Sequence, residues 1–86
     1  MRYLFMCRSL TYAQRAARLL ERSGLGGAVV RVPRTVSSRG CAYGVLVAPQ
    51  HRDRAAALLA SGNLAPERIY IRHADGTLEE TDDDLA

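Results

Sequence analysis

Apolar positions along the chain change period repeatedly, and each change marks an element. Residues 2–7 alternate poorly but are rich in strand formers, which suits a central strand buried on both faces. Ala13, Ala16, Ala17 and Leu20 then recur at helical spacing, with Arg15, Arg18 and Arg22 on the other side. Thr11 with Gln14 makes a capping-box pattern at the start of this helix, Gly24 ends it, and Gly26-Gly27 allows a tight re-entry. Ala28 to Val32 is a short β-branched strand stopped by Pro33. After a long connection, Tyr43 to Val47 forms the next strand. Pro49 fits the first turn of a second helix, whose buried stripe is Ala55, Ala56, Leu58 and Leu59, with Gly62 as its stop. Pro66 precedes a last strand, Arg68 to Arg72.

The order β-α-β-β-α-β predicts an α+β domain of the ferredoxin-like, split β-α-β kind. Four antiparallel strands would carry two helices on one face. That domain is expected to occupy residues 1–73. Residues 74–86, poor in hydrophobes and rich in like charge, are expected to form a disordered acidic tail.

Charge sharpens the division. All 12 basic residues are Arg, and all lie within residues 1–73 beside only Glu21, Asp53 and Glu67, a body of net +9. The last 13 residues hold six acids and no base. No run of about 18 apolar residues is present, so no transmembrane helix is expected. The opening residues are too short for a signal peptide, and the expectation is a cytoplasmic protein with no membrane partner. Strand edges at the second and fourth strands offer a route to a homodimer.

Candidate chemistry centres on Cys41. It ends the stretch Pro33-Arg34-Thr35-Val36-Ser37-Ser38-Arg39-Gly40-Cys41, a loop-like segment with serines, glycine and two arginines. A nearby guanidinium favours the thiolate, the form that reacts, so Arg34 and Arg39 are candidate activators. Ser37 and Ser38 serve turn chemistry and are candidate donors to a sulfur anion. Cys7, at the end of the first strand, is either a small core residue or a resolving thiol that would discharge Cys41 as a disulfide.

Other chemistries find less. Cys7, Cys41, His51 and His73 have no metal-ligand spacing, so no metal and no cofactor are expected. No histidine with an acidic partner is placed to make Ser37 or Ser38 a triad nucleophile. The Gly-rich residues 24–27 follow a helix rather than a strand and are no dinucleotide fingerprint. The +9 body raises nucleic acid as a partner, with Tyr3, Phe5 and Tyr43 at suggestive sheet positions. The aromatic signature of an RNA-recognition sheet is absent, and these rings are expected to pack under the helices instead.

The runs RYLFMCRSLTYAQRAARLLERSG and VVRVPRTVSSRGCAYGVLV, a second helix, and RIYIR together resemble a small bacterial family of selenium/sulfur carrier-like domains, otherwise of unknown function. The resemblance covers roughly residues 2–72 and rests on Ser9, Pro33, Arg34, Ser37, Ser38 and Cys41. Ala42, not the family's glycine, follows the cysteine, and Gly40 precedes it. The resemblance implies a carrier rather than an enzyme. Cys41 would hold a persulfide or selenopersulfide, Arg34, Ser37, Ser38, Arg39 and Gly40 would support it, and donor and acceptor proteins would be its partners. The competing expectation is a binding or regulatory module whose cysteine is incidental and whose arginines meet nucleic acid or an anionic protein.

Overall fold

The computed structural model describes residues 1–32 and 42–81. They form β1 (Arg2–Cys7), α1 (Leu10–Arg22), β2 (Ala28–Val32), β3 (Ala42–Val47), a 3-10 turn (Pro49–His51), α2 (Arg52–Ser61), β4 (Arg68–Arg72) and β5 (Leu78–Glu80). One antiparallel sheet has the order β2-β3-β1-β4-β5. The α+β class, the two helices and the antiparallel sheet agree with the ferredoxin-like plan in general. The strand number does not: five strands stand where four were expected.

The fifth strand comes from the stretch expected to be disordered. Leu78–Glu80 pairs with β4 in the register Tyr70↔Glu80, Ile71↔Glu79, Arg72↔Leu78. Composition misled because the acids of β5 meet side-chain nitrogens of Arg68 and His73 rather than one another. Glu80 pairs with Arg68, and His73 Nε2 lies 2.9 Å from Glu79 Oε1. Exposed pairs of this kind contribute only about 0–1 kcal/mol each. The turn adds local bonds: Thr77 donates its N–H and its hydroxyl to Asp75 Oδ1 at 3.0 and 2.7 Å. These bonds hold the Asp75 carboxyl below its ordinary pKa. Beyond the strand, Thr81 donates its N–H to the Ile69 carbonyl at 3.1 Å. Since β5 covers the β4 edge, the open edges of the described sheet are β2 and β5, not β2 and β4.

The helix ends also differ from the expected pattern. Only Arg8 and Ser9 join β1 to helix α1, with Ser9 as its N-cap; Ser9 Oγ accepts from the Tyr12 N–H at 3.3 Å, so Thr11 lies inside the helix. At its other end the pattern is as expected. Gly24 takes φ +78°, and Leu25 N–H reaches the Leu20 carbonyl at 2.9 Å, a Schellman closure. Helix α2 closes in the same way, but through Asn63 at φ 60° rather than Gly62. Asn is the residue after Gly that best tolerates this region. Gly62 serves close approach instead, since a Cβ there would lie 3.0 Å from Leu19 Cδ2 on α1.

Both helices pack on one face of the sheet. Ala13, Ala16 and Leu20 of α1, with Ala55 and Leu59 of α2, join Phe5, Cys7, Val45, Val47 and Ile69 in the main core. The opposite face carries a second buried cluster of Leu4, Met6, Val32, Leu46 and Tyr70. Burial on both faces explains why β1 lacks a clean alternation. Gly44 sits between Met6 and Val30 across the strands, where a Cβ would lie 2.6 Å from Leu4 Cδ1 and 3.0 Å from the Phe5 carbonyl oxygen. Gly44→Val is therefore expected to cost about 1–3 kcal/mol through overpacking. Urea denaturation checks this, and an unchanged midpoint would mean that Leu4 can move aside.

Candidate functional site

Chain direction brings several chemistry-bearing residues to one end of the sheet. Strand β1 ends at Cys7, β2 ends at Val32, β3 begins at Ala42, and β4 begins at Arg68. The antiparallel registers place all four of these ends together, with Cys7↔Tyr43 and Val32↔Ala42 as cross-strand pairs. The segment 33–41 leaves and rejoins the sheet there. Arg34, Ser37, Ser38, Arg39, Gly40 and Cys41 themselves lie outside the described residues. Cys41 is one peptide bond from Ala42, the first residue of β3.

The base of that connection is cationic and partly aromatic. The Arg8 guanidinium stacks 4.9 Å from the Tyr12 ring centroid. Arg31 pairs with Tyr43 across β2 and β3. The N-terminus of the 13-residue α1 opens at the same end, where the helix dipole favours negative charge. Neither Arg8 nor Arg31 was singled out from the sequence. Their signal was topological: a two-residue connection, Arg8-Ser9, between β1 and α1, and a strand pair that places Arg31 beside Tyr43. Among the described residues, Glu67 is the acid that approaches this end. Glu67 N–H donates to the Met6 carbonyl at 2.8 Å.

Cys7 is 5% exposed and belongs to the main core. Its thiol donates to the Phe5 carbonyl, Sγ to oxygen 3.6 Å. Burial, followed by the negative charge of Glu67, pushes the thiol pKa up to about 11. At neutral pH Cys7 is therefore a protonated core side chain, and attack by its sulfur would require the core to open.

The histidines lie elsewhere. His51 follows β3 and His73 follows β4, so both sit at the sheet end remote from Cys7. Cys7, His51 and His73 are not gathered. Among the described residues no group of three or more His, Cys, Asp or Glu side chains is placed to hold a metal ion.

The three aromatics considered for base stacking face the helices. Phe5 is fully buried in the main core, and Tyr3 and Tyr43 pack against the same cluster. The Arg52 guanidinium lies 5.4 Å from the Tyr3 ring centroid. Their alternation along β1 and β3 directs all three to the covered side, so they form no exposed stacking platform. No described helix is long and apolar enough to cross a membrane.

A family model described as Putative Se/S carrier protein-like matches residues 2–71. The match runs from the start of β1 into β4 and includes the 33–41 connection. No curated protein and no solved structure matches the chain.

Proposed function

The chain belongs to the Putative Se/S carrier protein-like family, and from that premise we propose that it carries sulfur or selenium as a persulfide or selenopersulfide on Cys41. The observation that carries this reading is the state of Cys7. The sequence holds two cysteines, and the buried, proton-retaining Cys7 is unsuited to exchange with another protein. The cargo therefore falls to Cys41. Arg8, Arg31 and the start of α1 at the base of the 33–41 connection support the reading, because positive charge favours a thiolate. Arg34 and Arg39 add two guanidinium groups within the connection itself.

The transfer balances without an external oxidant. The Cys41 thiolate attacks the terminal sulfur of a donor persulfide. The donor's S–S bond breaks and its own thiolate leaves with the electron pair, while a new S–S bond forms on Cys41. An acceptor thiolate repeats the exchange and restores Cys41. A selenium cargo follows the same bookkeeping, with Se as the transferred atom. The chain is returned unchanged after handing on its cargo, a carrier's role in the cytoplasm, between donor and acceptor proteins. Ser37 and Ser38 would hydrogen-bond the bound chalcogen anion, and Gly40 would leave room for both partners to approach.

Loading from a small-molecule persulfide donor, read by intact mass, tests the proposal. Wild type and Cys7→Ala are expected to gain one sulfur per chain, and Cys41→Ser none, with the fold intact by circular dichroism. Loading retained in Cys41→Ser would overturn the assignment. A silent Cys41→Ser together with Arg-dependent binding of polyanions would favour the binding-module reading instead.

A further inference from the structure

Arg2 and Arg72 stand opposite each other at the sheet end remote from Cys7, as a cross-strand pair of β1 and β4. In such a pair the Cα atoms are about 4.5–5.5 Å apart, and like charges placed directly opposite are unfavourable. The alternation of β1 and β4 puts both side chains on the face away from the helices, in step with Leu4 and Tyr70. Nearby acids do not relieve the pair. Glu80 pairs with Arg68, Glu79 with His73, and Asp75 Oδ1 accepts both bonds from Thr77. Among the described residues Arg2 and Arg72 have no carboxylate partner.

The two arginines also line a cavity. An open cleft of about 410 Å³ is bounded by Met1, Arg2, Arg72, His73, Ala74, Asp75 and Gly76. That volume exceeds the space a lone phosphate needs and lies within the range of small-molecule sites. Guanidinium groups present paired donors that match the oxygens of a phosphoryl group, and β1 and β4 each contribute one arginine to the lining of this cleft. Asp75 marks the side the ligand must avoid, and its Oδ1 is already committed to the turn.

We propose that this cleft binds a phosphoryl group between Arg2 and Arg72, either as the free anion or as the phosphate end of an ester. The six residues of β1 place it about 17 Å from Cys7. It is a second site, independent of the carrier reading.

The test titrates the full-length chain with inorganic phosphate and with adenosine 5′-monophosphate by calorimetry, in chloride of matched ionic strength. Phosphate is expected to bind wild type, and the paired variant Arg2→Gln/Arg72→Gln to lose at least tenfold in affinity. Arg15→Gln/Arg18→Gln on α1 removes the same charge and is expected to bind within twofold of wild type. Both variants should melt within a few degrees of wild type without ligand. Tighter binding of the monophosphate than of phosphate supports the site with an ester as its ligand, and equal or weaker binding supports it with the free anion. No phosphate binding, or equal losses in the two variants, would overturn the site in favour of diffuse charge.

Discussion

Alkylation of the folded chain at pH 8 is expected to add one label, on Cys41, and to leave Cys7 unmodified until the protein unfolds. The effect is large because ionisation and access act together. The Cys7 pKa, pushed up to about 11 from an ordinary value of 9.0, makes its thiolate about a hundredfold scarcer at pH 8. Burial to 5% exposure then denies the reagent its approach. The sign with pH follows from the raised value. Cys7 stays protonated in the folded chain up to about pH 11, whereas in the unfolded chain it ionises near pH 9. Its contribution to stability is thus complete below about pH 9 and is lost as the pH rises through about 11. Labelling of Cys7 in the native chain should rise only across that window. Peptide mapping after timed alkylation checks both statements. Comparable rates at the two cysteines at pH 8 would contradict the burial of Cys7, and no label at Cys41 would remove it as the accessible thiol.

The largest effect on stability is expected from Phe5→Ala. Phe5 is the chain's single phenylalanine and is fully buried where both helices meet β1. It shares the main core with the small residues Ala13, Ala16 and Ala55 and with Leu20, Leu59, Val45, Val47 and Ile69. Alanines bring the helices close to the sheet and leave Phe5 as the fully buried aromatic of this cluster, with Tyr3, Tyr12 and Tyr43 at its margin and no Trp in the sequence. Truncation of a buried Phe costs about 3–5 kcal/mol. A chain of this length holds about 4–13 kcal/mol in total. The variant should therefore unfold near room temperature or at much lower urea, and Phe5→Leu should recover most of the loss. Urea denaturation measures both. A cost below about 1 kcal/mol for Phe5→Ala would mean that the helices collapse onto the vacated space.

Much of the fold was legible in the sequence because period and punctuation agreed. The Ala13–Ala16–Leu20 stripe, the stop at Gly24 and the β-branched run at Val29–Val32 all appear where the pattern put them. Three features were hidden for physical reasons. Ser9 caps α1 because only Arg8 and Ser9 join β1 to the helix, a fact of chain geometry that a capping-box motif cannot register. Asn63 rather than Gly62 takes the left-handed turn after α2, since Gly62 is needed for approach to Leu19. Strand β5 escaped notice because Glu79 and Glu80 read as mutual repulsion until Arg68 and His73 are placed beside them.

The candidate site divides in the same way. The chemistry of Cys41, Arg34 and Arg39 is legible in the composition of residues 33–41, which lie outside the described residues. What the sequence left open was Cys7, because its position at a strand end suits both a core residue and a reactive one. Only packing decides, by placing it under the helices with its thiol on the Phe5 carbonyl. The convergence of Arg8, Arg31 and the start of α1 depends likewise on strand register, which no local pattern of residues encodes.

The most direct measurement is to locate the cargo. Wild-type protein is loaded from a persulfide donor, trapped with an alkylating reagent, digested and mapped by mass spectrometry. The extra sulfur is expected on the peptide containing Cys41, bound through a disulfide that dithiothreitol removes, with the Cys7 peptide unmodified. Sulfur on the Cys7 peptide, or none on either peptide at donor concentrations that load a free thiol, would contradict the assignment of the cargo to Cys41.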